Sequence, residues 1–190
     1  MSVILDIDLD YFRFFDEPLV RLNELLVWAD RPVDHIVTHH HEAFALWTKA
    51  VKEGVINTPH FILHVDEHHD MLCERPPINA GNFLYFAMRR WPRCRVHWLV
   101  DLKIDSPKQW LPEDKWNPLS RRFASGNRLR AGWPTPDLVT VCTSPSFIDK
   151  ALCKRLLGVC RQRSKIGVLD LAGGAPMTPS SKPSKTGCAE

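Results

Sequence analysis

Val, Ile and Leu dominate residues 2–9, with aspartates entering at alternate positions towards the end, and this pattern predicts a buried strand. Leu19, Val20, Leu22, Leu25, Leu26 and Trp28 then recur at helical spacing and predict an amphipathic helix over 18–29. A short strand is expected at 35–38. A helix follows at 42–52, with Ala43, Phe44, Leu46, Trp47 and Val51 on its apolar side and with Gly54 and Pro59 punctuating its end. Further strands are expected at 61–65, 95–102 and 138–142, and a last one at 166–171. Helices are expected at 82–90 and 146–161, the latter capped by Ser144 or Ser146.

Strands that alternate with helices imply βαβ units, hence an α/β fold on a mainly parallel sheet. Residues 105–136 hold Pro, Trp, Arg and Gly without periodicity and read as a long surface loop of the kind that often carries function. From about Gly173 onward the chain is Gly, Pro, Ser, Thr and Lys, which predicts a disordered tail over 173–190 behind one domain at 1–172.

Composition narrows the function classes. The chain has 190 residues, 44% hydrophobic and 25% charged, with a formal net charge of +3. That excess is too small to argue for nucleic acid or membrane as a partner. The arginines between Arg121 and Arg130 read as a solvated loop, with a dock for an acidic partner or peptide as the sharper alternative. Six cysteines contain no C-x-x-C pair, and an acidic segment starts within a few residues of Met1. Reduced thiols in a cytoplasmic protein without a signal peptide are the expectation.

Three clusters carry candidate chemistry. Asp6, Asp8 and Asp10 sit at every second position at the end of an apolar strand, so they share one face while the strand lasts. Like charges that close repel unless a cation compensates them, and buried carboxylates need partners. Asp66, His68 and Asp70 alternate in the same way directly after the strand at 61–65. Mixed carboxylate and imidazole donors suit Mn, Fe or Zn better than Mg or Ca. The run His39-His40-His41-Glu42 ends another strand, and one of its histidines is expected to complete a metal shell at the edge where parallel α/β sheets place ligands. His35, His60, His64 and His97 read as packed or surface histidines, with His64 a candidate support behind the ligands.

Asp66-x-His68-x-Asp70 resembles the D-x-H-x-D motif of the arginase superfamily, and Asp6-x-Asp8 resembles its D-x-D pair, here in reversed chain order. Asn79-Ala80-Gly81-Asn82 resembles the Gly-Asn of arginases that contacts the amino-acid end of the substrate. The opening segment 4–12, the His-His-Glu and the segment 65–71 together are similar to the UPF0489 family, whose bacterial members include peptide arginases. The resemblance implies a three-layer arginase-like fold with permuted strand order. It implies two Mn²⁺ ions, held by Asp6, Asp8, His41, Asp66, His68 and Asp70, with Asp10 and His40 as further candidates. In this scheme Asp6 and Asp66 bridge the ions and Asp70 takes a proton from the nucleophile. Glu42 binds the guanidinium, and Asn82 touches the substrate. The position of the arginase proton-shuttle histidine is Leu84 here, so either His69 or His97 substitutes or no shuttle is needed. The implied activity is hydrolysis of arginine side chains in a ribosomally made precursor peptide to ornithine and urea. A deacetylase of the same superfamily, acting on an acylated amine, is the alternative.

Overall fold

The computed structural model describes residues 1–101, 106–130 and 132–164. Six parallel strands form one sheet: β1 (Ser2–Asp8), β2 (His35–Val37), β3 (Pro59–Val65), β4 (Arg95–Leu99), β5 (Phe123–Gly126) and β6 (Leu138–Cys142), in the spatial order β2-β6-β1-β3-β4-β5. All seven residues of β1 are buried, as befits a central strand covered on both faces.

Its alternating side chains feed two cores. Ile4 joins Ile62, Trp47 and Phe83 beneath α2 (His40–Lys52) and α3 (Phe83–Arg90). Leu5 and Ile7 join Leu63, Val65 and Val139 beneath α1 (Pro18–Ala29) and α5 (Lys150–Gln162). The result is a three-layer α/β sandwich, the fold class the alternation implied. The Ile4 phase of β1 also carries Asp6 and Asp8, so these carboxylates face the α2–α3 layer.

The chain leaves β1 towards the β2 edge and leaves β3 towards the β5 edge, although β1 and β3 are neighbours. Their C-terminal ends therefore diverge and open a crevice, the position where open parallel sheets bind ligands. Both acidic clusters sit at that crevice.

Several elements differ from expectation. The segment expected to be one long loop contains a short helix, α4 (Glu113–Ser120), and then β5, which pairs with β4 from Val96↔Phe123 to Leu99↔Gly126. Phe-Ala-Ser-Gly is too short and too polar to announce itself as a strand. It is an edge strand whose pairing is set by β4. Helix α5 begins at Lys150, and its cap is Asp149, whose carboxylate accepts from the amides of Ala151 and Leu152. Ser144 has a positive φ of 38° and Pro145 follows it, so neither Ser144 nor Ser146 caps the helix. Arg122, expected in a solvated loop, instead donates to the carbonyls of Met88, Trp91 and Cys94 and secures the end of α3. The expected strand at 166–171 and the tail at 173–190 lie outside the described residues. Cys73, Cys94, Cys142, Cys153 and Cys160 are free thiols. Among the described residues, no helix is long and apolar enough to cross a membrane.

Candidate metal centre

The crevice brings together residues from five elements and the loops beside them. Strand β1 supplies Asp6 and Asp8, and the 3-10 turn that follows supplies Asp10. Strand β3 supplies His64, and the loop after it supplies Asp66, His68 and Asp70. The first turn of α2 supplies His40. The end of β6 supplies Thr140, Cys142 and Ser144. Asp6, Asp8, Asp10, His40, His64, Asp66 and Asp70 are all buried.

His40 is the hub. Its Nδ1 lies 2.9 Å from Asp70 Oδ2, 3.3 Å from Asp66 Oδ2 and 3.5 Å from Asp8 Oδ2. Its ring stacks on Phe83 at 5.0 Å, which fixes its plane. Asp70 adopts a positive φ of 49°, a conformation aspartate tolerates better than most residues, and its carboxylate turns back towards His40. A second group lies on the other side of Asp66. His68 Nδ1 is 3.4 Å from Asp66 Oδ1 and 3.5 Å from Asp10 Oδ2.

The two oxygens of Asp66 thus face two different donor sets: His40 and Asp70 on one side, Asp10 and His68 on the other. The backbone of Asp66 is held in place, because its carbonyl accepts from Trp98 Nε1 at 2.8 Å and its amide donates to Leu99 O.

A supporting chain runs behind this layer. Trp47 Nε1 donates to Thr140 Oγ1, which donates to Asp6 Oδ1, and Asp6 Oδ2 faces His64 Nδ1 at 2.9 Å. Ser144 Oγ donates to Asp8 Oδ2. Cys142 is pushed up to about 12 by burial and stays a thiol that donates to the Thr38 carbonyl.

Electrostatics argue for a bound cation. Asp10 has neither carboxylate oxygen hydrogen-bonded and is fully buried. Burial and then Asp8 raise it to about 7. Burial, followed by Asp70 and Asp8, holds Asp66 well above the usual carboxylate range. Burial also raises Asp8, against the pull of His40. Burial opposes charge on His40 too, but Asp6, Asp8 and Asp70 outweigh it and raise its pKa well above the usual histidine value. For Asp70, contact with His40 outweighs burial and lowers it. So many acids packed with so few compensating charges is a donor set built for divalent ions. The oxygen-rich, imidazole-containing chemistry fits Mn, Fe or Zn.

The expected residues sort as follows. Asp8, Asp66, His68 and Asp70 all line the crevice, but the resemblance pairs Asp8 with His68, whereas here Asp8 groups with His40 and Asp70, and His68 faces Asp10. His40 takes the place given to His41, whose ring instead stacks on His39 at 5.7 Å. Helix α2 starts two residues earlier than its apolar pattern indicates, and this rotates His40 inward. Asp6 forms a further donor group with His40 and His64, its Oδ2 3.6 Å from His40 Nε2 and 2.9 Å from His64 Nδ1, while its Oδ1 accepts from Thr140. Asp66 belongs to two of the donor groups, one through each oxygen.

Glu42 is spent on capping, since its carboxylate accepts from the amides of Thr38 and His39. Asn82 is likewise not a substrate contact. Its Oδ1 accepts from the Asn79 amide and its Nδ2 donates to the carbonyls of Arg75 and Pro77. His69 lines the cavity, but its Nδ1 accepts from the Met71 amide and its ring stands edge-on to Trp98. His97 points to the opposite face of the sheet, against Trp133, and has no path to the crevice.

Two participants have no place in the sequence expectations, Thr140 and Ser144, whereas His64, expected either packed or behind the ligands, takes the supporting place. Each had a signal. A histidine and a threonine inside otherwise apolar central strands need buried partners.

Asn82→Ala is expected to lower unfolding free energy by about 2–3 kcal/mol, because several buried groups lose a partner. A urea melt checks this. Metal content of the folded fraction should stay at the wild-type level.

A cavity of about 390 Å³ opens above the crevice, lined by Asp8, His40, Asp66, Glu67, Asp70 and Trp98, with Leu72 and Phe147 at its rim. The size is that of a small-ligand site. Comparison with family models, curated proteins and solved structures finds no match to this chain.

Proposed function

We propose that this chain is a binuclear metal hydrolase of carbon–nitrogen bonds, a peptide arginase that uses two Mn²⁺ ions to convert arginine side chains of a peptide to ornithine with release of urea. The observation that carries the reading is Asp66, whose two oxygens address two adjacent donor sets. The resemblance of the acidic motifs to the arginase superfamily and the UPF0489 family points to the guanidinium as the group hydrolysed. The reversed order of those motifs fits a permuted relative of the arginases.

His40, Asp8, Asp66 and Asp70 would hold one ion, and Asp10, Asp66 and His68 the other. When bound, such a pair activates water near neutral pH and polarises the group under attack. The protein's own residues do the rest. Asp70 lines the cavity with its buried Oδ2 2.9 Å from His40 Nδ1, and it would accept a proton from the attacking water and return it to the leaving amine. Asp6 and Thr140 fix His64, and His64 in turn sits 3.4 Å from Asp66 Oδ2, orienting the shared carboxylate. Trp98 and Phe83 exclude water from the rear.

With Glu42 committed to the helix cap, Glu67 takes over the guanidinium. It is the acid lining the cavity that belongs to neither donor set, and its present partner is the guanidinium of Arg13, whose place an incoming arginine side chain would take. Carboxylate and guanidinium match in planar, forked geometry.

Glu67→Gln is therefore expected to raise KM for arginine peptides by about 10- to 100-fold, the loss of one charge-assisted bond. Metal content should be unchanged.

Purified protein loaded with Mn²⁺ is to be incubated with arginine-containing peptides and followed by mass spectrometry. The expected result is conversion to the ornithine mass with equimolar urea. Metal-loaded protein that leaves every arginine peptide and free arginine unchanged would defeat the assignment. About one Zn per chain, with release of acetate from acetylated amines, would favour the deacetylase.

A further inference from the structure

A second concavity lies on the other side of the loop that joins β6 to α5. It is lined along one stripe of α5 by Lys150, Cys153, Lys154, Leu157 and Arg161, with Ile148 at its upper end. The spacing of these positions, 150, 153, 154, 157 and 161, is one face of a helix that borders the side Leu156 and Cys160 turn into the core, with Cys153 and Leu157 partly packed against that core.

The stripe has an apolar floor, from Ile148 and Leu157, and three exposed cations. None of the three has an ion-pair partner among the described residues. Helix α5 itself contains no acid: Lys150, Lys154, Arg155 and Arg161 are its only charges. A helix face that is both apolar and uncompensated in charge is poised for a partner with the opposite sign and its own apolar anchor.

We infer that this groove docks an acidic stretch of polypeptide, with one apolar side chain seated on Ile148 and Leu157 and carboxylates paired to Lys150, Lys154 and Arg161. Three features favour a peptide over nucleic acid. The floor is apolar, where a phosphate backbone would gain nothing. The cations run about 16 Å along one helix at 1.5 Å per residue, the reach of five extended residues. The chain as a whole is only slightly basic, at +3.

The groove is also joined to the metal centre. Ile148 lines it, while Phe147, the adjacent residue, is exposed at the rim of the metal cavity with its ring 5.4 Å from that of His68. A chain docked along α5 and continuing past Phe147 is delivered to the catalytic mouth. This inference rests on the proposed peptide substrate for its purpose. Its test does not, because binding is read on a peptide that cannot be hydrolysed.

The probe is a fluorescein-labelled peptide of glutamates around a single leucine, without arginine, titrated with the Mn²⁺-loaded full chain while anisotropy is followed. Binding is expected, weakened by salt, weakened when the leucine is replaced by serine, and weaker by about tenfold or more in the Lys154→Glu/Arg161→Glu protein. A Lys154→Gln protein gives a milder charge change should the double variant fail to fold, and its affinity is expected to fall by a smaller factor. Circular dichroism confirms the fold of each. The inference is overturned by no binding to the wild-type chain, by equal binding to the charge-altered proteins, or by tighter binding of a single-stranded oligonucleotide or an anionic lipid vesicle than of the acidic peptide.

Discussion

An Asp66→Asn protein is expected to fold, to hold neither metal ion, and to lose hydrolytic activity by a factor on the order of 10³ or more, the scale set by deleting one preorganised electrostatic group. Asparagine keeps the shape and keeps Oδ1 as acceptor for the His68 amide, now at 2.8 Å. What it loses is the charge shared between the two donor sets. In place of Oδ2 it presents an amide NH₂ to His40 and His64. The comparison with Asp10→Asn is the informative one. That change removes a ligand from one donor set only, so about half the bound metal should remain. Metal analysis of the two purified variants against wild type distinguishes a shared carboxylate from two independent sites. Asp66→Asn should also leave the metal-free fold at least as stable as wild type at pH 8, since a buried, poorly compensated charge has gone.

The second large effect is the pH dependence of stability without metal. Asp10 titrates at about 7 in the folded chain against 3.8 in its unperturbed state, with burial as the first cause. Between those values the folded state binds the extra proton, so stability falls as pH rises through the window. A shift of this size corresponds to roughly 4 kcal/mol. Asp66 and Asp8, also raised by burial, act in the same direction. His40 and His64 are raised by their carboxylates against the pull of burial. Their contribution is complete below 6.5 and is lost as pH climbs through their folded values. Asp70, lowered by His40, acts the other way, as do half-buried His35 and buried His97, which burial lowers. The raised group is larger and more deeply buried. Metal-free protein should therefore melt about 10 °C lower at pH 8 than at pH 5. Saturating Mn²⁺ should reverse the order, because the ions bind the deprotonated ligands and release protons. Differential scanning calorimetry with and without chelator reads both arms.

Much of the fold was legible because its strands are buried on both faces and its helices carry apolar stripes. Residues 2–9, 61–65 and 138–142 stand out as apolar runs, and their alternation with helices implies parallel pairing. Phe123–Gly126 did not stand out, since an edge strand of four residues takes its conformation from its neighbour. The acidic clusters were legible for the same reason as the strands: period two puts Asp6 and Asp8 on one face, and it does the same for His64 and Asp66. The choice between His40 and His41 was not. It depends on where α2 begins, and a one-residue change turns a helical side chain by about 100°. Glu42 and Asn82 were misassigned because a sequence lists polar groups without showing which backbone amides and carbonyls have already claimed them. Thr140 and Ser144 lie more than 130 positions from the aspartates they support, and only the sheet order brings them there.

The most direct test of the shared-carboxylate centre is anomalous diffraction at the manganese edge from crystals of the Mn²⁺-loaded chain. Two peaks about 3.5–4 Å apart, as in other two-metal sites, are expected, one beside His40 and Asp70 and the other beside Asp10 and His68, with Asp66 touching both. A single peak, or peaks that leave Asp66 untouched, would contradict the account.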